Sequence, residues 1–369
     1  MIPLHAPTLR LSKLFSLPKQ DYQSKLKALF RETFSKEHVL FTSSARNAIY
    51  SALKLMGFDK GDDIMLPGYT GSSVREAVSQ VCNPVFLDVD PQTFNLKPEE
   101  IKRKMTKHTK AIIVVHMYGN PCDMDAIVTI AKDNGLVIIE DVAQALFARW
   151  MGKTVGSFGD FSIFSFNFSK DITSYRGGVL LSNQAIESSR EFTSTYRILP
   201  QLFTTLSLMT LVKTMPSWLY FPIKKHILFP YFKKQGFKFN ISNKTISNYQ
   251  SYLLYKQFQR MESIIDKRRQ NANSYSQRLQ DVVNTPRETE GGKHTYYRYT
   301  IQTDRRDELA DYLWKHGIEA DKMYDYFLAP RDTCPNSQRA SQCSLNIPVH
   351  QDLSPEAIQK VVEAIYRFK

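Results

Sequence analysis

The stretch 161-FSIFSFNFSKDITSYRGGVLLSN-183 decides how the rest of the chain is read. Its first part is Phe-rich and apolar, as in a strand buried on both faces. One lysine, Lys170, follows that run, ahead of a turn and a Gly-Gly pair. A lysine just past a core strand is either an ordinary surface residue or an amine held where it can act as a nucleophile.

Upstream lies 137-VIIEDVAQALFA-148, in which Asp141 ends another apolar run. Its carboxylate could cap the next turn. It could also face a cation. The surrounding segments alternate strand and helix. EHVLFTSS, DDIMLPGY, NPVFLDVD, TKAIIVVHMYG and LVIIED read as strands, with helices between them such as ARNAIYSALKLMG and MDAIVTIAKDNG. This rhythm predicts an α/β fold with a mostly parallel sheet covered by helices on both sides. Ligands of such sheets sit outside the carboxyl ends of the strands. Ser43, Ser44, His116, Asp141, Gln144 and Lys170 fall there. A single long helix is expected from about Asn248 to Leu279. Beyond it, YYRYTIQ, DELADYLWKHGIEA and SPEAIQKVVEAIYRF suggest a small α/β unit. The expected division is a large domain over 1–250, with an insertion at about 195–240, and a small domain over 251–369.

The 369 residues suffice for two such units. Cys82, Cys122, Cys334 and Cys343 are scattered without metal-ligand spacing, so no metal site and a reducing compartment are expected. No signal-like apolar run opens the chain, and no run of about 18 apolar residues occurs. Charge is uneven. Between Phe192 and Met261 there is no Asp or Glu, but there are ten Lys and Arg, against a net charge of +13 for the chain. Because Leu, Phe, Trp and Tyr are interleaved with these basic residues, the pattern suits a membrane surface better than nucleic acid.

The middle of the chain resembles the DegT/DnrJ/EryC1/StrS family of sugar aminotransferases, which have the fold-type I architecture of pyridoxal-phosphate (PLP) enzymes. The resemblance rests on Glu140-Asp141-Val142-Ala143-Gln144-Ala145, Gly156-Ser157-Phe158-Gly159-Asp160, Phe164-Ser165-Phe166 with Lys170, and Gly177-Gly178. It extends to 42-TSSARNAIYSAL-53, 84-PVFLDVDPQTFNL-96, 115-VHMYGNPCDMDAI-127 and the C-terminal segment, leaving out about 195–240. It implies that Lys170 bonds covalently to PLP and that Asp141 pairs with the ring nitrogen. Gln144 would lie at the ring hydroxyl. Ser44, Ala45, Ser165 and Thr245 would hold the phosphate. His116, Tyr118, Arg176 and Tyr324 are candidates for contacting substrate.

The implied reaction moves an amino group from an amino acid, glutamate for preference, to a keto-sugar, expected to be nucleotide-linked. The implied assembly is a homodimer with composite sites, in the cytoplasm or at the inner face of the membrane, with no nucleic-acid partner. Three positions depart from the family pattern. Gly71 stands where an aromatic residue would stack on the ring, with Tyr69 nearby. Arg176 replaces an acidic residue, and 243-NKT-245 replaces an Asn-x-Arg or Asn-x-Asn segment. The departures keep a PLP-dependent sugar dehydratase, or a catalytically altered relative, as alternatives. Related dehydratases carry histidine in place of the lysine, so Lys170 favours transamination. A further alternative is a membrane-docked enzyme acting on a lipid-linked sugar.

Overall fold

The computed structural model describes residues 1–6, 8–9, 16, 18–186, 191–192, 200 and 241–369. The insertion expected at about 195–240 therefore lies outside the described residues, apart from position 200. In chain order the first part comprises α1 (Tyr22–Phe34), β1 (His38–Thr42), α2 (Ala45–Leu55), β2 (Asp63–Pro67), α3 (Ser72–Val81) and β3 (Asn83–Leu87). Next come α4 (Pro98–Lys104), β4 (Thr109–Val115), α5 (Met124–Asp133), β5 (Val137–Asp141), the short strands β6 (Arg149–Trp150) and β7 (Lys153–Thr154), β8 (Phe161–Ser165) and β9 (Gly178–Ser182).

Seven strands form the central sheet in the order β1-β9-β8-β5-β4-β2-β3. The neighbours β5–β8, β4–β5, β2–β4 and β2–β3 are parallel, while β9 runs antiparallel to both β8 and β1. The expected mostly parallel sheet is therefore present, with one reversed strand. That strand carries the Gly-Gly pair back along the end of β8.

Both faces are covered because successive side chains of a strand point to opposite sides. In β4, Ile112 and Val114 join a core with α1 and α5, whereas Ala111, Ile113 and Val115 join a second core with α2 and α3. The Phe-rich strand follows the same rule. Phe164 packs on Phe30 and Phe34 of α1, at ring-centre distances of 5.2 and 4.6 Å. Phe161 and Ile163 lie in the core of the opposite face.

The one long helix expected from Asn248 is two, α6 (Asn248–Phe258) and α7 (Met261–Leu279). No proline or glycine marks the break at Gln259 and Arg260. Phe258 at the end of α6 and Met261 at the start of α7 both lie in the sheet core. Downstream are β13 (Tyr299–Gln302), α8 (Arg306–Lys315), α9 (Pro335–Cys343), β14 (Ser344–Ile347) and α10 (Pro355–Phe368), preceded by the short strands β10 (Glu191–Phe192), β11 (Lys244–Thr245) and β12 (Gly292–Lys293). A third core gathers Ile2 with residues from Ala272 to Ile365. Helix α7 spans two cores. Met261, Ile264 and Ile265 lie in the sheet core, and Ala272, Tyr275 and Leu279 lie in the C-terminal one. All four cysteines are buried free thiols.

Candidate active site

Strand parity sorts the residues at the carboxyl ends. Ile139 and Ile163 face α2 and α3, so Asp141 and Ser165, two positions further on, face the same way. Glu140 faces the other side. Its buried carboxylate accepts hydrogen bonds from the amides of Gly156 (2.6 Å), Phe158 (2.7 Å) and Gly159 (2.6 Å), and from His116 Nε2 at 3.2 Å. His116 Nδ1 accepts from the Cys122 amide at 3.0 Å, which leaves the ring proton on Nε2. His116 is 0% exposed and both its nitrogens are engaged. Its ring nitrogens therefore bond to Glu140 and the Cys122 amide, and neither is left for the substrate contact expected of it.

Asp141 is 6% exposed, and among the described residues its side chain accepts one hydrogen bond, from the Ala143 amide at 2.9 Å. Burial pushes its carboxyl above the usual aspartate value, against the Ala143 amide and the charge of Lys170. Lys170 lies in the turn beyond β8 rather than at the strand end, and it is half-buried. Its Nζ sits 5.2 Å from the centre of the Tyr297 ring.

Ser44 caps α2. Its hydroxyl accepts from the Asn47 amide at 3.3 Å and from Asn47 Nδ2 at 3.2 Å, and Ala45 is the first helical residue. A helix start offers amides without intrahelical acceptors, which suits a dianion. Gly178 runs so close beneath that a Cβ on it would lie 2.5 Å from the Ser44 carbonyl carbon and 2.6 Å from the Ala45 nitrogen. Ser165 is the register partner of Gly178. The Ser242 amide donates to Asn47 Oδ1 at 3.1 Å, so the segment leading to buried Thr245 lies beside this turn of its own chain.

Gln144 is buried between two tyrosines. It donates to the Tyr324 hydroxyl at 2.9 Å and accepts from the Tyr118 amide at 3.3 Å. The rings of Tyr118 and Tyr324 stack at 6.2 Å, and burial raises both phenols well above the usual tyrosine value. Gly71 starts α3, and a Cβ there would lie 3.6 Å from the Tyr324 hydroxyl. Tyr69 is 1% exposed and its hydroxyl is bonded to that of Tyr118 at 2.7 Å, so its ring belongs to the core. Arg176 is exposed, with its guanidinium 5.6 Å from the Tyr175 ring centre.

Lys170, Asp141, Gln144, Ser44, Ala45 and Ser165 thus gather at one end of the sheet. Sequence reasoning missed Asn47, which ties the cup together, and Tyr297, which lies under the lysine. The Tyr-Tyr-Arg run at 296–298 was the only signal for Tyr297, and it reads equally well as a strand.

The residues present fit pyridoxal phosphate. A buried carboxylate with an oxygen to spare can take a ring N–H. A helix start with serines can take a phosphate. Among the described residues, the Lys170 amine has no hydrogen-bond acceptor and is available for the aldehyde.

The profile of the DegT/DnrJ/EryC1/StrS aminotransferase family matches residues 16–366. The chain is 30% identical over 364 residues to the pleiotropic regulatory protein of Geobacillus stearothermophilus, covering 94% of this chain and 89% of that protein. It is 26% identical over 395 residues to GDP-perosamine synthase of Escherichia coli O157:H7, covering 100% and 98%. Its fold matches that of the PLP form of the putative sugar aminotransferase Spr1654 from Streptococcus pneumoniae. There the TM-score is 0.76 at 18% identity, over 99% of this chain and 97% of that one. The chain belongs to the DegT/DnrJ/EryC1/StrS aminotransferase family, whose members depend on pyridoxal phosphate.

Proposed function

We propose that the protein transfers an amino group from an amino acid, glutamate for preference, to a keto-sugar carried on a nucleotide diphosphate, in the building of amino sugars for polysaccharide. The observation that supports this most is the meeting of Lys170, Asp141 and the Ser44–Ser165 cup at one sheet end. The relatives point the same way, since GDP-perosamine synthase carries a nucleotide sugar in its name.

When bound, the cofactor supplies an aldehyde that captures amines and a ring that delocalises the electrons released at the adjoining carbon. Lys170 Nζ provides the resting covalent link. Once displaced, its neutral amine would take the proton from the donor's α-carbon and give it to the cofactor's former aldehyde carbon, on the other side of the nitrogen that joins the two. Asp141 accepts the ring N–H and keeps that proton in place. Ser44, Ala45, Ser165 and Thr245 hold the phosphate without a cationic side chain. Gln144 and the Tyr118–Tyr324 pair wall the ring side and exclude water. The working division is a large unit of 1–250 and a small unit of 251–369 joined through α7.

The test is a visible spectrum of the purified protein followed by amine transfer with defined substrates. An absorbance band lost on borohydride treatment, with the label on Lys170, supports the cofactor reading. Amine transfer from glutamate to a nucleotide keto-sugar, and not to free keto-sugar, supports the substrate reading. Failure of either removes that part.

We propose further a cytoplasmic homodimer docked by the 195–240 segment on the anionic inner face of the membrane. The segment pairs Lys224-Lys225 and Lys233-Lys234 with Trp218, Tyr220, Phe221 and Tyr231. Lysines on lipid phosphates contribute about 1 kcal/mol each. Among the described residues no helix is long and apolar enough to cross a membrane. Flotation with anionic liposomes at low salt, lost at high salt, is the expected result. Binding that ignores lipid charge overturns docking.

A further inference from the structure

Both chain neighbours of Lys170 are held by residues that come after the sheet. The Ser169 carbonyl accepts a hydrogen bond from the Tyr297 hydroxyl at 3.0 Å. The Asp171 carboxylate pairs with Arg268 of α7. Arg298 locks the tyrosine in turn. Its Nη2 donates to the Tyr297 hydroxyl at 3.0 Å, its Nη1 donates to the Tyr297 carbonyl at 2.8 Å, and its guanidinium lies 3.9 Å from the ring centre. Asp171, Arg268 and Arg298 are 4%, 6% and 5% exposed.

Burying an ion pair is a poor way to gain stability, because desolvation offsets most of the attraction. Fixing one geometry is its best-supported use. Here the pair lies immediately beside the reacting lysine. Arg268 also occupies the stretch of α7 between Ile265, in the sheet core, and Ala272, in the C-terminal core. Gln257 of α6 adds a second hold on the same turn. Its Oε1 accepts from the Thr173 amide at 3.0 Å and its Nε2 donates to the Thr173 carbonyl at 2.8 Å.

We propose that Arg268 and Tyr297 are positioning residues for Lys170, acting through Asp171 and Ser169, so that the placement of the C-terminal unit sets the placement of the reacting amine. The inference rests on the reading of Lys170 as the covalent site. Neither residue needs to touch substrate. Movement of α7 pulls on Asp171, movement of 295–299 pulls on Ser169, and Lys170 is carried between them.

The test uses full-length Arg268→Met, Arg268→Lys and Tyr297→Phe. Hydrogen exchange over 167–174 is measured on cofactor-stripped protein, and kcat and KM are measured after PLP is restored. Arg268→Met should speed exchange over 167–174 at least about 10-fold. It should lower kcat about 10- to 100-fold, as small misplacements of a reacting group do, with both KM values within about threefold. Arg268→Lys should recover most of kcat. Tyr297→Phe, which removes one hydroxyl and keeps the ring, should loosen the Ser169 side alone, and it covers the case in which Arg268→Met does not fold. The proposal is overturned if exchange over 167–174 and kcat stay at wild-type values while only the melting temperature drops. It is equally overturned if Lys rescues no better than Met. Peptide mapping after borohydride separates the two readings. Label on a lysine other than Lys170 removes the covalent-site reading, while the exchange experiment still judges the clamp by itself.

Discussion

Glu140 and Asp141 are consecutive in the chain and serve opposite faces of the sheet. Glu140 is wholly buried and gathers three amides of the 156–159 turn together with His116. Asp141 faces the cleft with one hydrogen bond from Ala143. The first carboxylate is structural and the second is left with capacity for a ligand. Alternation along β5 is enough to separate the roles.

Lys170→Ala should abolish amine transfer and the borohydride-sensitive absorbance while leaving the circular dichroism spectrum unchanged. Lys170→Arg should not rescue, because a guanidinium stays protonated and forms no imine. Wild-type turnover in the alanine variant would remove Lys170 from the mechanism.

Asp141→Asn separates catalysis from stability. The asparagine keeps the hydrogen-bonding shape but cannot hold the ring proton, so PLP should still bind and the rate should fall by several orders of magnitude. The cofactor-free protein should respond in the opposite sense. Burial raises the Asp141 carboxyl, so its contribution to stability is full below the ordinary aspartate value and is lost as pH rises through the folded value. At neutral pH the ionised group therefore costs stability, and the asparagine variant without cofactor should melt about 1–3 °C higher. Calorimetry on stripped protein checks the sign.

Glu140→Gln should be severely destabilising. Burial works to raise this carboxyl, and hydrogen bonds from His116, Gly159 and Gly156 outweigh it and hold it below the usual glutamate value. A depressed carboxyl stabilises above its unfolded value and loses that stabilisation as pH falls through the folded value. The amide puts N–H groups against N–H donors, at a cost of about 1–3 kcal/mol for each buried donor left unsatisfied. Urea denaturation at pH 7 and at pH 4 should show a large loss at the first and a smaller one at the second.

Gly178→Ala tests the cup. The new Cβ would lie 2.5 Å from the Ser44 carbonyl carbon, where backbone must shift. PLP affinity, followed by absorbance titration, should fall at least about 10-fold, equivalent to about 1.4 kcal/mol. Unchanged affinity would place the phosphate elsewhere.

Much was legible in the sequence because it follows from local rules. The apolar runs at 137–141 and 161–165 read as buried strands, and the strand–helix rhythm gave a parallel sheet with its site at the carboxyl ends. The Ser44 helix start could be read as an anion site before any tertiary contact was known. The residue types at Lys170 and Asp141 carried the chemistry by resemblance.

Other features depended on distances that periodicity does not encode. His116 follows β4 as Asp141 ends β5, yet parity and the Cys122 amide turn it toward Glu140. The break between α6 and α7 has no local marker, since neither proline nor glycine stands at 259–260. Tyr297 and Arg268 are more than 90 residues from Lys170 in sequence. Only the closing of the C-terminal core on α7 brings them to Ser169 and Asp171. Local sequence determines which backbone shape a segment takes and which face its side chains choose. Long-range packing determines which distant side chains meet, because a hydrogen bond or buried ion pair forms only where the whole chain has already placed both partners.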